Sequence, residues 1–378
     1  MADHGSGRGY GAAMGAIAPP DQTGRGLVNL VAELEHRLTN HAVSDGLAGD
    51  LAALVPPGRS YVFVLFDGLG AHQLDHPAAG DLAASHAGTI DAPFPTTTTV
   101  SLATVATGRS PSQHGLIAYA MKVPPVPAIV NTIHMRSVWG DPIPLDPTTF
   151  LPGSTLWSRV AAAGIEPVVV QPGNFAGSPL TAALYGGARF EPYYGVDDLI
   201  EATLIVASPP RRLVFVYVPF VDVAAHMHGQ VSDEYSEAMG IANRIWAELA
   251  RRLGDDVTLL GTADHGHVDI AESGKVRLTE EQEAGLAMYG DARALYVDGD
   301  PSAILAAVPS TWLPRGALDP YWGPTPIDER FADRLPDGVV FPDDGWAVFP
   351  RYMNDRLIGY HGGLSDAERD IPLLVRRG

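Results

Sequence analysis

The chain has 378 residues and a formal net charge of −19; 46% of the residues are hydrophobic and only 18% are charged. A chain this apolar can build a large core and is not disordered, and its negative charge excludes a protein that wraps DNA or RNA through phosphate contacts. It contains no cysteine, which excludes a disulfide-stapled fold, a thiolate metal site and a cysteine nucleophile.

The N-terminal region shows no pattern of export or membrane insertion. Residues 1–25 are rich in Gly and Ala and lack the basic and apolar regions of a signal peptide. No apolar run reaches the length of about 18 residues that a membrane helix needs. We therefore expect a cytoplasmic protein without a membrane partner, in which a flexible tail precedes one catalytic domain at 26–378; the oligomeric state stays open.

Helix-like and strand-like segments alternate along the remaining chain. Apolar residues at intervals of three and four predict helices, whereas short, almost continuously apolar runs predict strands buried on both faces. This alternation predicts an α/β fold, with an open, mostly parallel sheet covered by helices on both faces. In chain order the predicted elements are helix 27–38, strand 61–66, helices 100–106 and 156–163, strand 167–170, helix 196–206, strand 213–218, helix 232–253, strands 257–260 and 294–297, and helix 302–307.

The stretch from about 272 to 342 differs from the rest in composition. It is richer in Pro, Gly and charged residues than the alternating region before it. We interpret it as a small inserted cap, with an elaboration of the sheet edge as the alternative.

Aspartates follow three of the predicted strands. Asp67 follows YVFVLF directly, while Asp222 and Asp264 come shortly after LVFVYV and VTLL. A single aspartate at such a place is usually a turn or helix-cap residue. Ligands, however, bind at the carboxyl edge of open α/β sheets, and three carboxylates that meet there repel one another unless cations lie between them.

Histidines near the same strand ends supply further ligand types for a metal ion. Asp222 and His226 are four residues apart, a spacing that places both on one face of a helical turn. His265 follows Asp264 directly, and His361 stands in a glycine-flanked loop near the C-terminus. Carboxylate oxygen and imidazole nitrogen are ligands expected for zinc, and also for manganese or iron.

Four consecutive threonines at 96–99 precede the predicted helix 100–106. One hydroxyl is enough to cap a helix, and the N-terminus of a helix also favours phosphate. A hydroxyl attacks poorly at neutral pH unless a base or a metal deprotonates it. Two adjacent metal ions supply that activation and stabilise the leaving oxygen, so these threonines include the candidate nucleophile.

Five segments in this order resemble the alkaline phosphatase superfamily, in particular its nucleotide pyrophosphatase/phosphodiesterase branch. Each segment alone is a weak signal, but together they span the chain from about 60 to its end. They are FDG at 66–68, FPTTTTVSLATVATG at 94–108 followed by HG at 114–115, DVAAHMHG at 222–229, TADHG at 262–266 and HGG at 361–363.

The resemblance implies a site with two divalent ions, zinc before manganese or iron, that cleaves small nucleotide-like phosphodiesters or pyrophosphates. Thr98 would be the nucleophile, bound to the second ion and forming a phosphothreonine intermediate that water then cleaves; Thr97 is the fallback. The first ion would be held by Asp222, His226 and His361, and the second by Asp67, Asp264 and His265.

The chain departs from the family pattern at three places. Thr97 stands where the family often has lysine, Ser101 stands where an asparagine is common, and the HGG segment lacks a Tyr-Asp-Asn continuation. These departures leave the ligand set intact and the substrate open. Three carboxylates against two divalent ions leave a charge of about +1, which suits a diester monoanion better than a monoester dianion.

Other functions are compatible with parts of the same pattern. A phosphonate hydrolase or a phosphomonoesterase of the same superfamily shares the threonine and the metals, and a catalytically silent, metal-stabilised binding protein is the alternative of another class. GLG at 68–70 lacks the third glycine of a dinucleotide fingerprint, and no Walker loop or G-x-S-x-G elbow occurs.

Six further residues near the motifs have weaker claims. We expect His228 and His267 to support the site rather than to bind metal. Asn174 and Phe175 follow a predicted strand at the carboxyl edge of the sheet, where Phe175 either stacks against a base or aryl group or belongs to the core. His134 and Tyr119 have no assigned role.

Overall fold

A computed structural model describes residues 17–324 and 326–376 of the chain. The tail predicted for residues 1–25 thus falls largely outside the described residues. The strands are β1 Ser60–Phe66, β2 His86–Asp91, β3 Ala120–Lys122, β4 Ile129–Asn131, β5 Arg136–Ser137, β6 Glu166–Pro172, β7 Arg189–Tyr193, β8 Arg212–Val218, β9 Val257–Ala263, β10 Val268–Asp269, β11 Lys275–Arg277, β12 Ala287–Asp291, β13 Ala294–Asp298, β14 Ser310–Pro314, β15 Gly338–Pro342, β16 Ala347–Phe349, β17 Gly359–Tyr360 and β18 Asp370–Val375.

The helices range from single turns to the 20 residues of the longest one. No helix in the described part of the chain is both long and apolar enough to span a membrane. The helices are α1 Leu27–Thr39, α2 Gly49–Ala52, α3 Gly80–Ala84, α4 Thr98–Thr107, α5 Pro111–His114, α6 Leu156–Ala162, α7 Pro179–Leu184, α8 Val196–Ala207, α9 Phe220–His228, α10 Asp233–Arg252, α11 Glu280–Glu283, α12 Ser302–Ala307, α13 Arg315–Leu318 and α14 Asp366–Arg369.

The main sheet has seven strands in the order β2-β18-β9-β1-β8-β6-β7. From β9 to β7 neighbouring strands are parallel, whereas β18 runs antiparallel to β9 and β2. Every residue of the central strand β1 is buried, as its continuous apolar run requires. The predicted α/β fold with an open, mostly parallel sheet is confirmed.

Helices pack against one another in two groups. One group joins α1, α4, α6 and α7, and the other joins α3, α8, α9 and α10. The longest helix, α10, begins where the Ser232 hydroxyl accepts a hydrogen bond from the Tyr235 N–H, as a helix cap should. Its buried residues recur at helical spacing, from Tyr235 to Trp246 and Leu249, so one stripe faces the core.

A second, antiparallel sheet joins two distant parts of the chain. Its order is β14-β15-β13-β12-β3-β4-β5, so strands from 120–137 continue the strands from 287–342. The stretch 272–342, interpreted from the sequence as an inserted cap or an elaboration of the sheet edge, supplies four of the seven strands of this second sheet, β12 to β15. Residues 17–25 lie against the body of the protein, since the Asp21 N–H donates to Asp91 and the Ile17 carbonyl accepts from Tyr321.

A buried ion pair connects the second sheet to the C-terminal region. Arg293, between β12 and β13, and Glu368, in α14, have side chains only 3% and 0% exposed, and their closest atoms lie 3.1 Å apart. Glu368 also accepts hydrogen bonds from the Gly363 N–H and the Ser365 hydroxyl. The pair thereby holds the loop after His361 against the second sheet.

Replacing Glu368 with alanine should destabilise the protein strongly. Glu368→Ala leaves the Arg293 charge buried without its partner, which typically costs about 3–5 kcal/mol. Urea unfolding followed by circular dichroism measures this cost. Asp50→Ala, which breaks an exposed pair with Arg25, is the control and should change the midpoint much less. Equal shifts for the two variants would contradict the assigned role of the pair.

Candidate metal centre and active site

The three aspartates lie at the carboxyl ends of adjacent strands. Asp67 and Asp264 directly follow β1 and β9, while Asp222 lies in α9, just after β8. The Asp222 N–H donates to the Asp67 carbonyl over 3.1 Å, so backbone bonds fix their proximity. Gly68 has a positive φ of 72°, and a Cβ there would lie 2.8 Å from the Asp222 Cα. The FDG segment therefore needs its glycine.

Asp222, His226 and His361 form the first cluster. The Asp222 Oδ1 lies 3.3 Å from the His226 Nε2 and 4.0 Å from the His361 Nε2, and the two imidazole nitrogens are 3.2 Å apart. The one-turn spacing in α9 and the glycine-flanked loop thus bring together the three residues that the family resemblance assigns to the first ion.

Backbone carbonyls orient the two histidines of this cluster. The His226 Nδ1 lies 2.8 Å from the Gly359 carbonyl oxygen, and the His361 Nδ1 lies 2.9 Å from that of Thr96. Each Nδ1 therefore carries the proton that it donates, and each Nε2 of the neutral ring carries a lone pair. Two lone pairs facing each other at 3.2 Å repel, whereas a cation between them attracts both.

Burial keeps His361 in its neutral form. Burial, together with the neighbouring His265 and His226, lowers the pKa of His361 well below its ordinary value. Metal ions bind neutral imidazole, and metal-bound histidines commonly donate their other ring N–H to a carbonyl. The first cluster therefore has the donor set and the supporting hydrogen bonds of a metal site.

Asp67, Asp264 and His265 form the second cluster. The His265 Nε2 lies 3.6 Å from Asp67 and 3.5 Å from Asp264, and the ligand atoms of all three lie within 4.8 Å of one another. The Asp264 Oδ2 is buried and accepts no hydrogen bond from any residue that the structure describes. The His265 ring stacks 3.7 Å from that of His361, so the two clusters adjoin.

Electrostatic repulsion within the second cluster is strong. Burial, together with the charges of Asp222 and Asp264, raises the pKa of Asp67 well above its usual range. A divalent cation among these carboxylates offsets both effects. Its positive charge stabilises the ionised carboxylates in place of the water that burial excludes, and it reduces the repulsion between them. The orphaned Asp264 oxygen and the carboxylate-rich donor set both fit such an ion.

Thr98 is the threonine that faces the clusters. Its Oγ1 lies 3.2 Å from the His265 Nε2 and 3.5 Å from the Asp67 Oδ1, at the first residue of α4. The hydroxyls of Thr96, Thr97 and Thr99 are directed elsewhere, towards the Gly363 carbonyl, Asp291 and Thr132. Unlike these three buried residues, Thr98 is partly exposed.

Two histidines with weaker claims occupy different surroundings. The His267 Nε2 lies 2.8 Å from the Asp222 Oδ1, and burial lowers the pKa of His267 to about 4. The position of His267 also allows it to be a metal ligand, because one of its ring nitrogens lies within 4.8 Å of ligand atoms of Asp222 and His361. His228 is half-exposed, and its ring faces Glu234.

The sequence interpretation missed Tyr217, which lies in β8. Its hydroxyl donates a hydrogen bond to the Asp67 Oδ2, so it orients that carboxylate. A tyrosine in the otherwise non-polar run LVFVYV was the available signal, since a buried phenol needs a partner. Ser101, by contrast, donates to the Asp264 backbone carbonyl and is fully buried. Ser101 therefore holds the backbone of Asp264 in place and does not bond to a side-chain ligand atom of the second cluster.

Two cavities open beside Thr98. The first, which we call the apolar cavity, has a volume of about 640 Å³, and Arg136, His134 and Asn174 add polar groups to its wall. Arg136 is a cation that the motif segments did not reveal. The apolar and aromatic residues lining this cavity include Leu102, Phe175, Leu180, Leu184, Tyr185 and Tyr217.

The second cavity, which we call the polar recess, has a volume of about 420 Å³. It is bordered by the first cluster and by residues of the second sheet and its connections. Asp291, at the end of β12, is 7% exposed, and burial raises its pKa to about 7. The polar residues lining the recess include Tyr119, Asn131, Asp291, Tyr352 and Asn354.

A family model for type I phosphodiesterase / nucleotide pyrophosphatase matches residues 61–364, well over half of the chain. The chain belongs to this family. The match contains all five segments on which the resemblance was based, so that resemblance is confirmed. Members of this family are metal-dependent phosphoesterases, and the protein is therefore a metal-dependent hydrolase.

Solved structures of the family and its relatives share the fold. Murine ectonucleotide pyrophosphatase/phosphodiesterase 5 is 19% identical with a TM-score of 0.62, covering 83% of this chain and 87% of that chain. Phosphonoacetate hydrolase from Sinorhizobium meliloti 1021 is 17% identical with a TM-score of 0.61, covering 85% of this chain and 91% of that chain. Comparison with curated proteins by sequence finds no match.

The raised pKa of Asp291 predicts that the free energy of unfolding depends on pH. An unfolded aspartate ionises near pH 4, whereas Asp291 stays protonated in the folded protein up to about pH 7. The folded state therefore binds more protons between these values, and the stability that this group contributes is lost as the pH rises from about 4 to 7.

Asp291→Asn removes this titration. Relative to wild type, the metal-free variant should gain about 2–4 kcal/mol between pH 5 and pH 8. Urea unfolding of both proteins at the two pH values, after dialysis against a chelator, measures the difference. Asp50→Asn is the exposed control and should show no such pH-dependent gain. A constant difference between Asp291→Asn and wild type would mean that Asp291 titrates normally.

Proposed function

We propose that the protein is a two-metal phosphohydrolase that cleaves phosphodiester or pyrophosphate bonds of small nucleotide-like molecules, with Thr98 as nucleophile. The observation that carries this proposal is the position of the Thr98 hydroxyl at the N-terminus of α4, beside His265 and Asp67. In this proposal one ion is held by Asp222, His226 and His361, and the other by Asp67, Asp264 and His265.

The protein's own groups would position a phosphate for attack. The N–H groups of Thr98 and Thr99 open α4, and neither donates to another described residue. Free N–H groups at a helix N-terminus bind phosphate oxygens. The two ions, zinc in our proposal, would lower the pKa of the Thr98 hydroxyl and neutralise charge on the leaving oxygen. The resulting phosphothreonine would then be cleaved by water.

The apolar cavity supports an organic substituent on the phosphate. Phe175 and Tyr217 lie with their ring centroids 6.1 Å apart in its wall, so they offer aromatic surface to a base or aryl group. Among the structural neighbours, an inactive threonine-to-alanine variant of the murine phosphodiesterase 5 was solved in complex with AMP. A cavity of this size favours a nucleotide-like diester over a small phosphonate.

The first test replaces Thr98 with alanine in the zinc-loaded protein. Hydrolysis of bis-p-nitrophenyl phosphate should fall by at least about 10³-fold, because the hydroxyls of the neighbouring threonines face other residues and cannot replace that of Thr98. Wild type treated with EDTA should lose activity similarly and regain it with zinc. Thr97→Ala is the matched control: it removes a neighbouring hydroxyl that faces Asp291, and it should lose far less activity.

Each alternative has its own signature in this assay. Turnover that survives both Thr98→Ala and EDTA contradicts the threonine and the metals together. A kcat/KM on p-nitrophenyl phosphate equal to or above that on the diester contradicts the diester preference. Two bound zinc ions without any turnover would favour a phosphonate substrate or a silent binding protein.

A further inference from the structure

The polar recess contains buried polar atoms that the proposed chemistry does not use. The Asp291 Oδ2 and the Tyr352 hydroxyl are both buried, and neither makes a hydrogen bond with any residue in the described parts of the chain. A buried polar atom without a partner is costly, so such atoms at a cavity wall indicate a ligand or ordered water. Both residues line a space that also borders Thr98, His226 and His361.

The Tyr119 hydroxyl is a third polar group of the recess, and it is oriented as an acceptor by Asn131. The Asn131 side-chain amide donates to the Tyr119 hydroxyl oxygen over 2.7 Å, while its own oxygen accepts from the Ile133 and His134 N–H groups. Asn131 is thus fixed by the loop after β4. The Tyr119 hydroxyl, which accepts this bond, keeps its proton for another acceptor.

These three groups lie within electrostatic range of one another. Burial and the nearby Asp291 raise the pKa of Tyr352 well above its usual range. Burial also raises the pKa of Tyr119, to which Asp291 contributes in the same direction. Both phenols therefore remain neutral donors near Asp291. The recess therefore presents two hydroxyl donors and one carboxyl group among its lining residues.

The residues lining the polar recess determine which kind of chemical group can bind there. Of the described residues lining the recess, none is a lysine or an arginine, so a second phosphate or a carboxylate would meet Asp291 without a compensating cation. An ammonium group could pair with Asp291 but offers no acceptor to the Tyr119 and Tyr352 hydroxyls. A hydroxyl group both donates and accepts, and therefore satisfies the carboxyl group and the phenols together.

We propose that the polar recess binds an uncharged, polyhydroxylated group of the substrate, such as a glycerol or sugar moiety esterified to the phosphate. This inference rests on the proposed function, because the phosphate itself would lie at Thr98 and the two clusters. The apolar cavity then takes the other substituent. The preferred substrate class is a phosphodiester that joins an aromatic or otherwise apolar group to a polyol.

A binding measurement tests this assignment independently of turnover. Zinc-loaded Thr98→Ala protein is titrated calorimetrically with sn-glycerol 3-phosphate, methyl phosphate and phosphoethanolamine. Glycerol phosphate should bind about tenfold more tightly than methyl phosphate, because two added hydrogen bonds of ordinary net strength amount to that factor. Adding Asp291→Ala, or separately Tyr352→Phe, should bring the ratio of the two Kd values close to one.

The control is Tyr194→Phe in the same background, which removes a phenol that is 81% exposed and outside both cavities. It should keep the tenfold preference. Equal binding of glycerol phosphate and methyl phosphate, or a preference that survives both Asp291→Ala and Tyr352→Phe, would overturn the inference. Tightest binding of phosphoethanolamine would also overturn it and assign the recess to a cation.

Failure of the proposed function gives a different result. In that case zinc-loaded wild type does not hydrolyse bis-p-nitrophenyl phosphate, and neither glycerol phosphate nor methyl phosphate binds to the Thr98→Ala protein. Hydrolysis by wild type combined with equal binding of the two phosphates contradicts the polyol assignment alone.

Discussion

Three carboxylates, those of Asp67, Asp222 and Asp264, are held within one small, buried volume by the order β9-β1-β8 of the main sheet. Because adjacent parallel strands end at the same edge, residues that follow them cannot separate without breaking the sheet. The repulsion is therefore built into the fold. It is relieved when positive charge of matching size lies among the three groups, and the surrounding histidines are oriented to hold it.

The backbone sets the chemical state of those histidines. Carbonyls of Gly359 and Thr96 accept from the Nδ1 atoms of His226 and His361, and that of Gly266 lies 3.1 Å from the Nδ1 of His265. All three rings thus direct an Nε2 lone pair inward. These carbonyls belong to irregular segments: the threonine run, the segment after β9 and the C-terminal loop. The Arg293–Glu368 pair holds the C-terminal loop in place through the bonds of Glu368 to Gly363 and Ser365.

The sequence predicted the strands and helices that carry strong periodicity. YVFVLF and LVFVYV lie within β1 and β8, and α12 has the predicted bounds, because buried apolar runs and amphipathic stripes are local signals. Three strands of the main sheet, β2, β7 and β18, were missed. Residues of β2 mostly alternate between exposed and partly buried, while β7 and β18 each contain a proline, so none of the three has the apolar run that predicts a buried strand.

The candidate site was predictable to the extent that its residues follow predicted strands. Asp67 does so directly, Asp222 and Asp264 follow within a few residues, and the family segments pointed to Thr98 and His361. Asp291 and Tyr352 carried no such signal. Asp291 reaches the site through the antiparallel sheet formed by segments 120–137 and 287–342, and Tyr352 lies in the loop between β16 and β17. Pairing between distant short strands depends on tertiary contacts, which single-sequence periodicity does not encode.

The measurement that tests this account most directly is a crystal structure of the zinc-soaked protein with data at the zinc absorption edge. Two anomalous peaks are expected about 4 Å apart, one bound by the Nε2 atoms of His226 and His361, the other by His265 and both neighbouring carboxylates. A protein without peaks between these side chains, or with the His226 and His361 Nε2 atoms still facing each other directly, would contradict it.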